Sequence, residues 1–214
     1  MLAAALSFRD LLNPEMVIHY GGLALLLAII FAETGLFFGF FLPGDSLLFA
    51  AGLLCESKYL STPVVILIPL LILAAVLGST VGYGFGRWAK HYLERRKENF
   101  FYKKKYIEMT ETFYQKYGMM AFVLGRFLPI VRTFVTILAG MSRIDFKKFW
   151  IYNLLGASAW IVTMVLAGYL LGNAFPGLID HLEIIVVAMI LVSAIPVITA
   201  FFRAQRKMLK EKMK

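Results

Sequence analysis

The chain has 214 residues and a formal net charge of +9, with 60% hydrophobic and only 16% charged residues. A water-soluble domain carries roughly 45–50% apolar and about 25% charged residues, so the composition excludes a soluble globule, a disordered chain and a collagen-like one. A single cysteine, Cys55, excludes an intramolecular disulfide framework, which leaves an all-α integral membrane protein.

Residues 1–15 lack the basic start of a secretory signal and read as a short interfacial helix or arm. Met16 to Ala32 is apolar. Glu33 to Leu54 is apolar but broken by Pro43, Gly44 and Asp45. Pro63 to Gly86 carries no charge and is long enough to cross, since about 20 residues span the hydrocarbon. The polar stretch that follows places Tyr102, Tyr106, Met109, Phe113 and Tyr117 at helical spacing, which predicts an amphipathic helix on the membrane surface. Gly118 to Met141 is apolar yet contains Arg126, Pro129 and Arg132. Phe149 to Ile179 and Ile184 to Phe202 are span-like, and a basic tail begins at Arg203.

Lys and Arg cluster between Arg87 and Lys116 and from Arg203 onward, with Lys147 and Lys148 as an outlying pair. Basic residues beside apolar stretches report topology and anionic headgroups rather than nucleic acid. If the Lys-rich connector is cytoplasmic and Gly118–Met141 crosses, then Arg143, Lys147, Lys148 and the tail all fall outside, against the positive-inside rule. If that stretch enters and returns, every basic cluster is cytoplasmic. The same reasoning makes Glu33–Leu54 a re-entrant hairpin from the opposite face. Helix breakers at membrane depth are tolerated where the backbone is buried in protein or lines a wet cavity, so Pro43-Gly44 and Pro129 mark hairpin tips.

An internal repeat agrees with this topology. Gly39–Pro43 (GFFLP) recurs 86 residues later as Gly125–Pro129 (GRFLP), and Gly82-Tyr83 with Gly86 recurs at the same offset as Gly168-Tyr169 with Gly172. Ala51-Gly52-Leu53 recurs as Ala139-Gly140-Met141, 88 residues on. The predicted architecture is one membrane domain, 1–214. It is an inverted repeat of two opposed re-entrant hairpins, about four spanning helices and an amphipathic cytoplasmic helix. The halves run over about 16–88 and 118–202, joined by the connector 89–117 and followed by the tail 203–214. Both termini are expected in the cytoplasm.

Four charges lie in the hairpins: Glu33 and Asp45 in the first, Arg126 and Arg132 in the second. Each costs about 2.5–3.5 kcal/mol at a helix centre, so four unpaired charges cost on the order of 10 kcal/mol, comparable to a whole domain's stability. They are therefore paired or wet. Buried bridges that merely lock the hairpins together are one reading. The other is functional: two guanidinium forks with freed helix N-termini make an anion site for a lipid phosphate. Glu33 and Asp45 then compete for the arginines and exchange protons. Asp45-Ser46 after Pro-Gly also has the form of a helix N-cap. Asn153 is polar inside an apolar stretch, suited to a helix–helix hydrogen bond or to contact with the hairpin tips. His19, His91 and His181 have no metal-ligand spacing, and no metal or other cofactor is expected. Trp88, Trp150 and Trp160 fit interfacial or packing positions. Gly82, Gly86, Gly168 and Gly172 fit close helix contact.

Glu33, Phe41-Leu-Pro-Gly-Asp-Ser46, Gly125-Arg-Phe-Leu-Pro-Ile-Val-Arg-Thr133, the Ala139-Gly-Met run and Asn153–Ala157 together resemble the DedA family of membrane proteins, which carry the VTT domain. The resemblance spans roughly Ala24 to Gly172. It implies lipid translocation across a bacterial cytoplasmic membrane, with undecaprenyl phosphate as substrate and coupling to the proton gradient. It also implies an essential acidic pair at Glu33 and Asp45 and an arginine pair at Arg126 and Arg132. Pro43, Gly44, Ser46, Pro129 and Asn153 are expected to support the site. The expected partners are the lipid, protons and surrounding membrane lipids; a homodimer is compatible with this reading. Alternatives are a phospholipid flippase or scramblase and a proton-coupled ion transporter. An enzyme is disfavoured, because Ser46 has no evident base and no histidine lies near the hairpins.

Overall fold

The computed structural model describes residues 22–36, 39, 42–57, 60–93, 120–175, 177–178, 184–185 and 187–189. Among these the fold is all-helical, and only an isolated bridge between Cys55 and Leu60 has β geometry. The elements are α1 (Gly22–Gly35), α2 (Gly44–Leu53), α3 (Val64–Leu93), α4 (Met120–Gly125), α5 (Pro129–Met141) and α6 (Phe146–Ala174).

Two helices are long and apolar enough to cross a membrane, Val64–Lys90 within α3 and Phe146–Ala174. At 1.5 Å per residue, the 30 residues of α3 reach about 45 Å, well beyond a hydrocarbon core of about 30 Å. The 10 residues of α2 and 13 of α5 reach only about 15 and 20 Å. Neither of these two helices is long enough to cross. The chain breaks fall at the expected prolines: Pro43 caps the start of α2, and Pro129 is the first residue of α5. There its missing N–H costs nothing.

One expected boundary is displaced. Glu33 does not follow a break at Ala32; it lies in the last turn of α1, which runs unbroken across the expected boundary at Ala32–Glu33 to Gly35. Leu, Ile and Ala keep the helix going, and the break comes only beyond Gly35. The expected start of the last long helix at Phe149 also moves, to Phe146, because Asp145 caps it by accepting from the Lys148 N–H at 3.0 Å. The N-terminal arm, the connector helix with Tyr102 to Tyr117, most of the span expected at Ile184–Phe202 and the basic tail lie outside the described residues, as do His19 and His181.

The packing is crosswise. The short helix α2 lies on the long α6 and the short α5 on the long α3, while α1 also packs on α3. Small residues make these crossings close. A Cβ at Gly168 would fall on the Phe49 carbonyl, one at Gly52 on the Val165 carbonyl, one at Gly86 on the Ile137 carbonyl and one at Gly140 on the Tyr83 carbonyl. The turns that follow α2 and α5 both pass through the left-handed region, at Glu56 (φ 60°) and Arg143 (φ 52°). Each turn is tied to a long helix by a tyrosine, the first to α6 and the second to α3. The Tyr83 hydroxyl donates to the Ile144 carbonyl at 2.6 Å, and the Tyr169 hydroxyl donates to Glu56 Oε2 at 3.4 Å.

The distribution of polarity is that of a protein dissolved in lipid. Val65, Ile66, Leu73, Leu77, Val81, Phe85 and Trp88 are exposed along α3, and Trp150, Ile151, Leu155 and Leu170 along α6. Such a continuous apolar exterior is not stable in water. The interior combines a core of Leu26, Ile30, Leu47, Leu71, Ile161 and Val165 with buried Glu33, Thr34, Ser79, Arg126, Arg132 and Asn153.

Candidate functional site

Arg132 sits one turn into α5, where the helix has just restarted after the Pro129 break. It is fully embedded, with 2% of its surface exposed. Its Nη2 donates to Glu33 Oε1, and its Nη1 donates to Asp45 Oδ1 at 2.9 Å. One guanidinium thus joins the end of α1, the start of α2 and α5 across sequence separations of 99 and 87 residues. A second Nη1 contact, at 3.5 Å, is to the carbonyl of Arg126.

Trp160 of α6 closes the other side. Its ring lies under the Arg132 guanidinium, 4.1 Å from ring centroid to Cζ, and its indole N–H donates to Asp45 Oδ1 at 2.8 Å. It is completely buried. Such a stacked cation is worth about 2 kcal/mol or more once water is excluded. Trp88 and Trp150 are exposed, as belt positions require, while Trp160 takes the expected packing role in the buried core and adds these polar contacts to it. Trp160 is a site residue that the sequence did not reveal.

Asp45 is not a helix cap. The N-cap of α2 is Pro43, without a side-chain cap bond, and the Asp45 carboxylate is used on Arg132 and Trp160 instead. Ser46 turns back locally and donates to the Pro43 carbonyl at 2.9 Å, which braces the break without touching the charges. Gly44 has a steric role: a Cβ there would fall on the Glu33 carboxylate, so only glycine lets α2 begin against the end of α1.

Arg126 lies in the break between α4 and α5 and is 2% exposed. Among the described residues it has no carboxylate partner. Its Nη2 donates to Ser79 Oγ of α3 at 2.7 Å and to Asn153 Oδ1 of α6. Asn153 thus takes both roles considered for it, since its Nδ2 also reaches the Val76 carbonyl at 3.4 Å. The four charges are brought together as expected, but unevenly: Arg132 takes both carboxylates and Arg126 takes neutral oxygens. Among the described residues Glu33 Oε2, Arg126 Nη1 and Arg132 Nε have no hydrogen-bond partner, so there the cluster keeps unused donors and an unused acceptor in the interior. No group of His, Cys, Asp and Glu among the described residues has the arrangement of a metal site.

The VTT domain matches residues 42–170, which contain Asp45, Ser79, Arg126, Arg132, Asn153 and Trp160. The chain is 37% identical to Protein DedA of Escherichia coli (strain K12) over 199 residues, 92% of this chain and 90% of that protein. It is 35% identical to an uncharacterized membrane protein of Mycobacterium tuberculosis over 212 residues, 96% of this chain and 92% of that one. It is 34% identical to Inner membrane protein YqjA of Escherichia coli over 173 residues, 79% of this chain and 75% of that protein. No solved structure matches it significantly.

Proposed function

The chain belongs to the DedA family of VTT-domain membrane proteins, and from that premise we propose that it is a lipid transporter. Its cargo is an anionic lipid, undecaprenyl phosphate in first place, carried across the bacterial cytoplasmic membrane with coupling to the proton gradient. The observation that carries the reading is a buried guanidinium, Arg126, with only neutral partners among the described residues. Beside it, Arg132 is held by two carboxylates, all within a body coated in apolar side chains. An intramembrane charge is expensive and marks a substrate or ion path by default.

In this mechanism the lipid tail stays in the bilayer and only the phosphate enters. Arg126 receives it first. Arg132 then exchanges Glu33 and Asp45 for two phosphate oxygens, a bidentate match that a guanidinium makes well. Proton exchange at Glu33 and Asp45 keeps the interior neutral during that swap, because an uncompensated buried charge is far costlier than a neutral acid. The short helices α2 and α5 are the second arms of two re-entrant hairpins that enter from opposite faces, related as an inverted repeat. Alternating access arises as these arms move on the long helices. Both termini face the cytoplasm.

Headgroup-resolved translocation in proteoliposomes tests this, comparing undecaprenyl phosphate with phosphatidylethanolamine under an imposed pH gradient. The expected result is pH-driven flux of the phosphate lipid that Arg132→Ala abolishes. Wild-type flux in Arg132→Ala defeats the assignment. Movement of phosphatidylethanolamine alone turns the substrate into a zwitterionic phospholipid, and ion flux without lipid movement makes the protein an ion transporter.

A further inference from the structure

Arg126 differs from every other charge in the cluster by what holds it. Its two partners are the most neutral acceptors available, a hydroxyl and an amide oxygen, each completely buried. Their orientation is dictated by the α3 backbone. Ser79 spends its only hydrogen on the Ala75 carbonyl at 2.8 Å, so a lone pair faces Arg126. Asn153 directs its NH2 to the Val76 carbonyl, which turns its oxygen toward the guanidinium; the flipped amide would aim donor at donor. Two successive carbonyls of one helix turn therefore set both acceptors. The acceptors occupy Nη2, and Nη1, although buried, has no hydrogen-bond partner among the described residues.

A fold that needed only to neutralise Arg126 has an obvious remedy. Aspartate is nearly isosteric with asparagine and would supply the missing charge at position 153. A neutral pair at these two positions leaves the cation without a carboxylate among the described residues. We propose that Ser79 and Asn153 are positioning and specificity-determining residues. They hold Arg126 by one edge without cancelling its charge, so that the Nη1 edge is reserved for an anionic phosphate oxygen of the cargo. This rests on the lipid-transport reading above, in which Arg126 meets the phosphate before Arg132, and adds to it the two side chains that keep Arg126 available.

The test uses the full chain in nanodiscs, with binding of undecaprenyl phosphate, phosphatidic acid and free inorganic phosphate measured alongside thermal stability. Asn153→Asp and Ser79→Asp each place a carboxylate against Arg126, while Ser79→Ala removes one neutral acceptor and no charge. Both acidic variants are expected to weaken binding of the phosphate lipids by about tenfold to a hundredfold, with melting temperatures equal to or above wild type. Ser79→Ala removes one of the two acceptors that hold Arg126 and is expected to weaken binding by about threefold to tenfold, less than either acidic variant because it adds no charge. A merely structural role for the pair predicts the opposite pattern, in which stability moves and affinity does not. Wild-type affinity in Asn153→Asp overturns the proposal while leaving lipid transport standing. Lower stability in both acidic variants also overturns it, because a carboxylate there should relieve an uncompensated charge. If the wild-type protein binds neither lipid, the transport reading itself fails. Inorganic phosphate binding as tightly as the lipids would make the receptor one for free phosphate.

Discussion

Replacing Arg132 by methionine separates two explanations of the buried cluster. The substitution roughly keeps the side chain's length and apolar stem but removes the cation that joins α1, α2 and α5 and stacks on Trp160. Glu33, wholly buried, and Asp45, 17% exposed at its side chain, are left without that partner. Breaking a buried pair by deleting one member costs about 3–5 kcal/mol, and loss of the stacked cation belongs within that figure. For a chain of this size 1 kcal/mol shifts the melting temperature by roughly 2–4 °C, so Arg132→Met should melt about 6–20 °C lower. Neutralising the carboxylates at the same time, as Glu33→Gln and Asp45→Asn in the Arg132→Met background, removes the stranded charges and should recover most of the loss. Scanning calorimetry or dye-monitored melting in a fixed detergent measures both variants, and a lipid-flux assay should find both inactive. If the triple variant melts as low as the single one, the cost lies in lost attraction or packing, and the desolvation reasoning is refuted.

Trp160→Phe keeps a ring but loses the indole donor to Asp45, and should cost about 1.5–3 kcal/mol, measured as a melting shift; a double-mutant cycle with Asp45→Asn should return non-additivity. Gly140→Ala and Gly168→Ala would press a Cβ into the facing helix backbone and should each destabilise by about 1–3 kcal/mol. Gly84→Ala meets open space and should instead stabilise α3 by roughly 0.5–1 kcal/mol, all readable in the same melts. Cys55 lies in the connection between α2 and α3, where burial first and the neighbouring Glu56 charge second push its thiol up to about 11. From a starting value of 9.0 this leaves about a hundredfold less thiolate at neutral pH, so maleimide labelling should be slow in the folded protein and fast after unfolding. The sign of the shift also means that this thiol's contribution to stability is present below about pH 9 and is lost as pH rises toward about 11.

The positions of the charges were legible because a charge in an apolar run is too costly to be incidental. The helix breaks were legible because proline is disfavoured in a helix interior and Pro43 and Pro129 stand beside charges; Pro69, in a charge-free run, continues inside α3. The partnership was not. Nothing in the spacing of Glu33, Asp45, Arg126 and Arg132 says that one arginine takes both acids, since that follows from the crossing of α2 over α6 and α5 over α3, a tertiary contact. Ser79 stood in a small-residue run beside Gly78, and Trp160 had the form of a packing residue, so neither carried a signal of polar contact. The boundary drawn between Ala32 and Glu33 fell too early: helix propensity carries α1 past Glu33 to Gly35, and the charge is accommodated by an arginine 99 residues away.

The position of Trp160 gives the protein a built-in optical gauge. Of its three tryptophans, two face outward, and the third is sealed between a guanidinium and a carboxylate. With Trp88 and Trp150 changed to phenylalanine, the remaining emission comes from one indole whose surroundings are the charges under discussion. Its wavelength and quenching would then follow the opening of that pair in real time, with no attached dye.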